Sequence, residues 1–225
     1  MIAIAIDGPA GAGKSTVAKK ISAELGYVYV DTGALYRAIG LYAIRSGVPE
    51  QTEQYVVPLL PEIRVELKFI DHMQRVFLNA EDVSEAIRQN EVSMAASNVS
   101  AIPAVREFLF ALQQQIAREN NVIMDGRDIG TVVLPHADIK IFLTASPEDR
   151  AKRRHLELLQ KGQEVDFDTL LQEIIERDHN DSTRAIAPLK KADDAIAVDT
   201  SGNSLEESIA LLTDLIKSQL QKKQK

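Results

Sequence analysis

Apolar residues along the chain fall into two alternating rhythms. Residues 2–6, 27–30, 122–124, 139–143 and 195–198 are short, near-continuous apolar runs, the pattern of strands buried on both faces of a parallel sheet. Between them the period lengthens. Val17, Ile21 and Leu25 recur at helical spacing up to Gly26, and Leu35, Ile39 and Tyr42 do so ahead of Gly47; each set predicts a helix with one core-facing stripe and a glycine stop. Val105, Leu109, Leu112 and Ile116 mark a third helix, and Leu205, Ile209, Leu212 and Ile216 a fourth. The fourth is opened by the capping box Ser204-Leu205-Glu206-Glu207, in which serine and glutamate satisfy each other's backbone N–H groups. This last helix is expected to fray into a solvated tail, Lys222-Lys223-Gln224-Lys225. Strand–helix alternation of this kind predicts an α/β domain on a five-stranded parallel sheet flanked by helices.

Two regions break the alternation. Between Pro58 and Asn90, residues 63–69 and 75–78 read as an antiparallel hairpin around Asp71-His72-Met73, a small sheet inserted into the core fold. From Ser146 to Arg184 the chain is helical and densely charged. Ser146-Pro147 opens a helix bearing Arg150, Lys152, Arg153 and Arg154, Gly162 ends it, and residues 170–175 begin another. Charge alone leaves this region equally a mobile cover or a solvated helical hairpin.

Composition narrows the function classes. A chain of 225 residues, 45% hydrophobic and 26% charged, can bury one core with small excursions. There are no cysteines, so disulfides and thiolate metal sites are excluded. His72, His136, His155 and His179 share no metal-ligand spacing. The net charge of −7 argues against nucleic acid as a partner, although arginines can still cluster into a local anion site. No run approaches the roughly 18 apolar residues of a membrane span. The apolar opening passes directly into Asp7-Gly8-Pro9 without a basic leader, which reads as a first strand and not a signal peptide. A cytoplasmic setting is expected, and, with nothing demanding a partner, a monomer.

The chemistry begins at Gly8-Pro9-Ala10-Gly11-Ala12-Gly13-Lys14-Ser15, followed by Thr16. It fills the pattern G-x-x-x-x-G-K-[ST] between an apolar strand and an amphipathic helix, the context in which successive backbone N–H groups converge on phosphate. Lys14 is expected to reach the transferring phosphate of ATP and Ser15 to offer a hydroxyl to Mg²⁺. A GTP-dependent switch lacks its Asn-Lys-x-Asp motif here, and an ATPase motor needs partner domains that a chain of this length does not supply. A small-molecule kinase of P-loop NTPase type is the favoured reading. Its runners-up are a same-fold kinase acting on UMP or a non-nucleotide alcohol, and an ATP-sensing module.

Polar loops follow the second and third strands, Asp31-Thr32-Gly33-Ala34-Leu35-Tyr36-Arg37 and Asp125-Gly126-Arg127-Asp128-Ile129-Gly130-Thr131, at strand ends where α/β sheets hold ligands. Asp125 is open to two readings, a carboxylate orienting water on Mg²⁺ or a loop cap. Together with Ala96-Ser97, Pro103-x-Val105-Arg106 and Glu176-Arg177-Asp178 through Arg184-Ala185, these segments stand in the order found in the bacterial cytidylate kinases, which the whole chain resembles. The resemblance implies phosphorylation of CMP and dCMP by ATP. It implies a CORE at about 1–35, 100–145 and 185–225, an acceptor-binding region with the β insertion at about 36–99, and a helical LID at about 146–184. It implies that Thr32, Arg37 and Arg127 hold the acceptor phosphate and that Ser97, Arg106 and Asp128 read the cytosine edge. Arg177 and Asp181 would reach the sugar or phosphate, and Arg184 with Arg153, chosen over Arg150 and Arg154, would lie over the transferring group. Serine is also common in the family at the place of Thr32, and the hydroxyl is retained.

Overall fold

The structure is a computed structural model and describes residues 1–70, 73–160 and 162–223. In chain order the elements are β1 (Ala3–Asp7), α1 (Lys14–Leu25), β2 (Val28–Asp31), α2 (Thr32–Arg45), the one-turn α3 (Glu53–Val56), β3 (Val65–Ile70), β4 (Met73–Leu78) and β5 (Glu81–Asp82). They continue with α4 (Asn90–Ser100), α5 (Pro103–Glu119), β6 (Val122–Gly126), β7 (Ile139–Thr144), α6 (Pro147–Gln160), α7 (Phe167–Thr183), β8 (Ile196–Asp199) and α8 (Leu205–Lys223). The five apolar runs pair as one parallel sheet in the order β2-β6-β1-β7-β8.

Pairing carries each strand about one residue past its apolar run. Asp7 stands opposite Gly126 and Phe142, Asp31 opposite Asp125, and Thr144 opposite Asp199. A hydrophobicity criterion stops at the first polar side chain, whereas the backbone ladder continues through it. The result is a row of polar residues at the carboxyl edge of the sheet, the edge where open α/β sheets take ligands.

The side-chain alternation of β1 explains the layering. Ile4 and Ile6 pack with Val17 and Ile21 of α1 and Leu212 and Ile216 of α8. Ala5, between them, faces the opposite layer with Ile116 and Ala117 of α5 and Ile129 and Val133. A third cluster joins α2, α4, α5 and the inserted sheet through Leu35, Ile39, Val76, Leu78, Val99 and Leu109.

The insertion is a three-stranded antiparallel sheet in the order β3-β4-β5. The hairpin predicted at 63–69 and 75–78 begins two residues later, because Ile63 closes the 3₁₀ turn Val57–Glu62. Its turn, Asp71 and His72, lies outside the described residues, as do Gln224 and Lys225 of the predicted tail. Gln74 of β4 fastens the insertion to the core: its side-chain amide accepts from the Asp31 N–H at 2.8 Å and donates to the Asp31 carbonyl at 3.3 Å.

Candidate active site

The cradle takes its shape from glycines at positions where no side chain fits. A Cβ on Gly8 would stand 1.9 Å from the Leu143 carbonyl oxygen, and Gly11 and Gly13 hold φ values of 75° and 89°, a region that glycine enters without penalty. Lys14, the first residue of α1, is buried and donates to the Pro9 carbonyl at 2.7 Å. Burial, with repulsion from Arg127, lowers its pKa to about 7, against the pull of Asp125, Asp7 and Asp181.

Ser15 Oγ donates to Asp125 Oδ2 at 2.8 Å, and the Tyr29 hydroxyl donates to Asp125 Oδ1 at 3.0 Å. The Asp125 side chain therefore faces the cradle, while its backbone carbonyl accepts from Thr32 Oγ1 at 2.8 Å. Burial and the neighbouring Asp31 raise the Asp125 carboxyl to about 6, with Lys14 opposing. A hydroxyl and a carboxylate side by side at a phosphate cradle are hard oxygen donors that suit Mg²⁺, which binds through few protein groups and keeps much of its water.

Beside the cradle lies a cavity of about 230 Å³, lined by Ala10, Gly11, Lys14 and Ser15 and by Thr32, Arg37, Ser97, Arg106, Arg127, Asp128, Arg177, Asp181 and Arg184. Residues from five separate segments of sequence thus meet around one space. Four of its five arginines are set against acid. Arg37 pairs with Asp31 at 3.2 Å, Arg106 with Asp128, Arg127 with Asp181 at 2.8 Å, and Arg184 lies 3.5 Å from Asp128 and 3.9 Å from Asp181. Arg184 also donates through Nε to the Ala187 carbonyl at 2.7 Å. Arg177 is the poorly served member: burial and Arg127 lower its pKa to about 10, and its buried Nε has no hydrogen-bond partner. Burial raises the Asp128 carboxyl, with Arg106 and Arg184 pulling back. For Asp31 and Asp181 burial also pushes upward, but the arginines beside them win and hold both carboxyls below the ordinary range.

Arg153 lies outside this cavity. Its guanidinium donates to the carbonyls of Thr200 at 2.9 Å and Asn203 at 3.3 Å, and stands 3.9 Å from where a Cβ on Gly13 would be. Gly8, Pro9, Ala12, Gly13 and Thr16 shape the cradle without lining the cavity, and Thr16 is exposed. Arg150, by contrast, is built into the cradle's underside: it donates to the carbonyls of Ala10 at 3.0 Å and Ala145 at 2.9 Å and pairs with Asp178.

Sequence reasoning missed several members. Asp31 caps α2 through the Ala34 N–H at 3.0 Å while holding Arg37; its place at the end of an apolar run was the available signal. Tyr36 turns its ring to the Arg106 guanidinium 5.6 Å away. Ser93 and Ser100 join the lining from α4, a helix the apolar pattern did not predict. Its buried stripe is Val92, Ala95, Ala96 and Val99, too small in volume to announce itself, and small for a reason. A Cβ on Gly40 of α2 would lie 3.0 Å from the Ala96 nitrogen and 3.1 Å from the Ala95 Cβ, so the two helices pack almost backbone to backbone and bring Ser97 to the site.

A glycine-lined phosphate cradle between β1 and α1, on a parallel sheet of this order and beside an arginine-rich cavity, makes the molecule a P-loop kinase-type fold. The same architecture, at TM-score 0.53 and 15% identity, is found in an uncharacterized protein from Eubacterium ventriosum, with 97% of this chain and 99% of the other aligned. The family model described as Cytidylate kinase matches residues 4–218, and the chain belongs to that family. A cytidylate kinase of Caldicellulosiruptor bescii is 53% identical over 214 residues, 95% of each chain. One of a Geobacillus species is 50% identical over 219 residues, 97% of this chain and 98% of the other. No helix among the described residues is long and apolar enough to cross a membrane.

Proposed function

We propose that the protein transfers the terminal phosphoryl group of ATP to CMP and dCMP, forming CDP or dCDP and ADP. The observation that carries the reading is that a single cavity is lined both by Lys14 and Ser15 and by Ser97, Arg106 and Asp128, so a triphosphate and a base-bearing acceptor have adjoining places. Membership of the cytidylate kinase family supports the choice of acceptor.

The acceptor phosphate oxygen is already anionic near neutral pH, so it attacks the terminal phosphorus without a general base and ADP leaves from the opposite side. What the protein supplies is alignment and positive charge on the equatorial oxygens. In this reading Lys14 and the backbone N–H groups of the cradle hold the donor. Thr32, Arg37 and Arg127 hold the acceptor phosphate, Arg177 and Asp181 reach its sugar or phosphate, and Arg184 and Arg153 complete the charge around the transferring group. Mg²⁺ would be held by Ser15 and Asp125, directly or through water, and would neutralise phosphate charge when bound. Asp128 accepts from the cytosine amino group and Arg106 donates to N3 or the carbonyl. Uracil would oppose a carbonyl to the carboxylate and an N–H to the guanidinium.

The regions at about 1–35, 100–145 and 185–225 act as the CORE, 36–99 as the acceptor-binding region and 146–184 as the LID. A closing cover limits loss of ATP to water by completing the site only when both substrates are bound. The test is ADP release with CMP, dCMP, UMP, AMP, GMP and shikimate as acceptors, on the natural chain and on Asp128→Ala. CMP and dCMP should lead on the natural chain, and Asp128→Ala should lower kcat/KM for CMP far more than for UMP; sites that hydrogen-bond a substrate group discriminate by up to about 10⁴. Preference for another acceptor would overturn the reading.

A further inference from the structure

We infer that Asp7 is a positioning residue for acceptor-base selection: its carboxylate fixes the backbone from which Asp128 projects. The inference rests on the reading of Asp128 as a base contact. Asp7 ends β1, directly before the first glycine of the cradle, and is buried. Its side chain takes two consecutive amides of the neighbouring loop, Oδ1 from the Ile129 N–H at 2.8 Å and Oδ2 from the Gly130 N–H at 2.7 Å.

Those amides open the short π-helical turn Ile129–Val133, for which Asp128 is the preceding residue. The first N–H groups of any helical turn lack partners within it, and here a carboxylate from another strand supplies them. The consequence falls on Asp128. The peptide joining Asp128 to Ile129 is held on its N–H side by Asp7 and on its carbonyl side by Val132 N–H at 2.8 Å and Val133 N–H at 3.2 Å. With that plane fixed at both ends, the ψ of Asp128 is set, and Asp128 keeps φ −145° and ψ 24°, a conformation of neither helix nor strand. The side chain then leaves the backbone in the direction that meets Arg106 and Arg184.

A neutral side chain would not serve equally. The N–H donors of two successive residues, Ile129 and Gly130, each take a separate acceptor atom, which a carboxylate has and an amide lacks. Burial raises the Asp7 carboxyl to about 6, opposed by the Gly130 and Ile129 amides, so it is ionised at neutral pH with both oxygens accepting. Because the Asp7 backbone is already paired with β6 and β7, a change confined to its side chain alters the 128–130 loop while the cradle keeps its place.

The test compares Asp7→Asn, Gly130→Ala and Asp128→Ala with the natural chain by steady-state kinetics on CMP and UMP, with KM for ATP and the thermal midpoint measured on each. Gly130→Ala disturbs the same contact from the loop side, since its Cβ would stand 3.3 Å from Asp7 Oδ2 and 3.2 Å from Lys140 Cδ. Displacement of a contacting group by about 1 Å can cost about a hundredfold, so Asp7→Asn should reduce the CMP:UMP ratio of kcat/KM by about tenfold or more, and Gly130→Ala by less. Asp7 also acts on the donor side through its charge near Lys14, so KM for ATP can shift in Asp7→Asn, and it is the CMP:UMP ratio, in which donor effects cancel, that reads acceptor recognition. An unchanged ratio in Asp7→Asn, beside a reduced ratio in Asp128→Ala, overturns the inference and leaves Asp7 a tie between strand and loop. An unchanged ratio in Asp128→Ala overturns the base-contact reading and this inference with it. If Asp7→Asn does not fold, the ratio in Gly130→Ala decides on the same terms.

Discussion

Lys14 enters the cradle from the first turn of α1, and its burial has a measurable proton consequence. Its pKa falls to about 7 from 10.5, so in the free protein the folded state releases a proton that the unfolded chain keeps. Between these pH values the unfolded state binds more protons, and this group makes stability rise with pH. Triphosphate oxygens beside Lys14 reverse the depression, because a nearby anion favours the charged form. Binding of ATP near pH 8 should therefore take up close to one proton, read by calorimetry in buffers of different ionisation enthalpy and absent in Lys14→Met. No buffer dependence in the natural chain would contradict the assignment. At this scale the sequence was informative where polar residues closely follow the end of a strand, as Thr32 and Arg37 do at the start of α2 and Arg127 and Asp128 in the loop after β6, all of them lining the cavity. It was silent on Asp7, which is last in its strand and acts through loop residues 122 and 123 positions away in sequence. Such a partner has no periodic signal.

Elements with large apolar stripes were legible, and those whose packing depends on small residues or local turn geometry were not. α1, α2, α5 and α8 follow Val17, Leu35, Val105 and Leu212, and the predicted capping box forms, with Ser204 N–H donating to Glu207 Oε2 at 2.8 Å and Glu207 N–H to Ser204 Oγ at 3.1 Å. α4, the two-residue β5 and the π-helical turn escaped. The charged helices α6 and α7 also divide in a way their sequence hides. Arg150, at the base of α6, ties Asp178 of α7 to the cradle carbonyl of Ala10. The start of α6 is further pinned where Asp149 accepts from the Gly202 N–H at 2.9 Å. Motion of the proposed cover is then expected between these anchors, at residues 154–160 and 162–176. Limited proteolysis should cut there in the free protein, with CMP and ATP together protecting more than either alone; equal cleavage in every condition would mark a fixed hairpin. Arg150→Met should destabilise by roughly 3 kcal/mol, the low end for breaking a buried pair, since Asp178 keeps 24% of its side chain exposed. Arg153→Met, which loses only the hydrogen bonds to the Thr200 and Asn203 carbonyls, should cost less, about 1 kcal/mol, which denaturant unfolding of the two variants will compare.

Taken as a whole, the molecule carries a net charge of −7 and yet concentrates Arg37, Arg106, Arg127, Arg177 and Arg184 around one cavity. Pairing of all but Arg177 with Asp31, Asp128 and Asp181 keeps those arginines oriented before an anion arrives, as preorganised electrostatic sites require. The inserted sheet has a second significance at this scale. β2 is an outer strand of the main sheet, and an outer strand offers its unpaired amides and carbonyls to any other extended chain. Through Gln74, the insertion answers both the N–H and the carbonyl of Asp31 with one side-chain amide, standing in for the peptide group of a further strand. Replacing residues 64–81 with a short flexible linker should thus do more than impair acceptor binding. It should leave a sticky margin on the sheet, and the shortened protein should sediment as concentration-dependent aggregates under conditions where the intact chain does not. Sedimentation velocity decides: a shortened chain that keeps the intact chain's association state would mean that this sheet margin needs no guard.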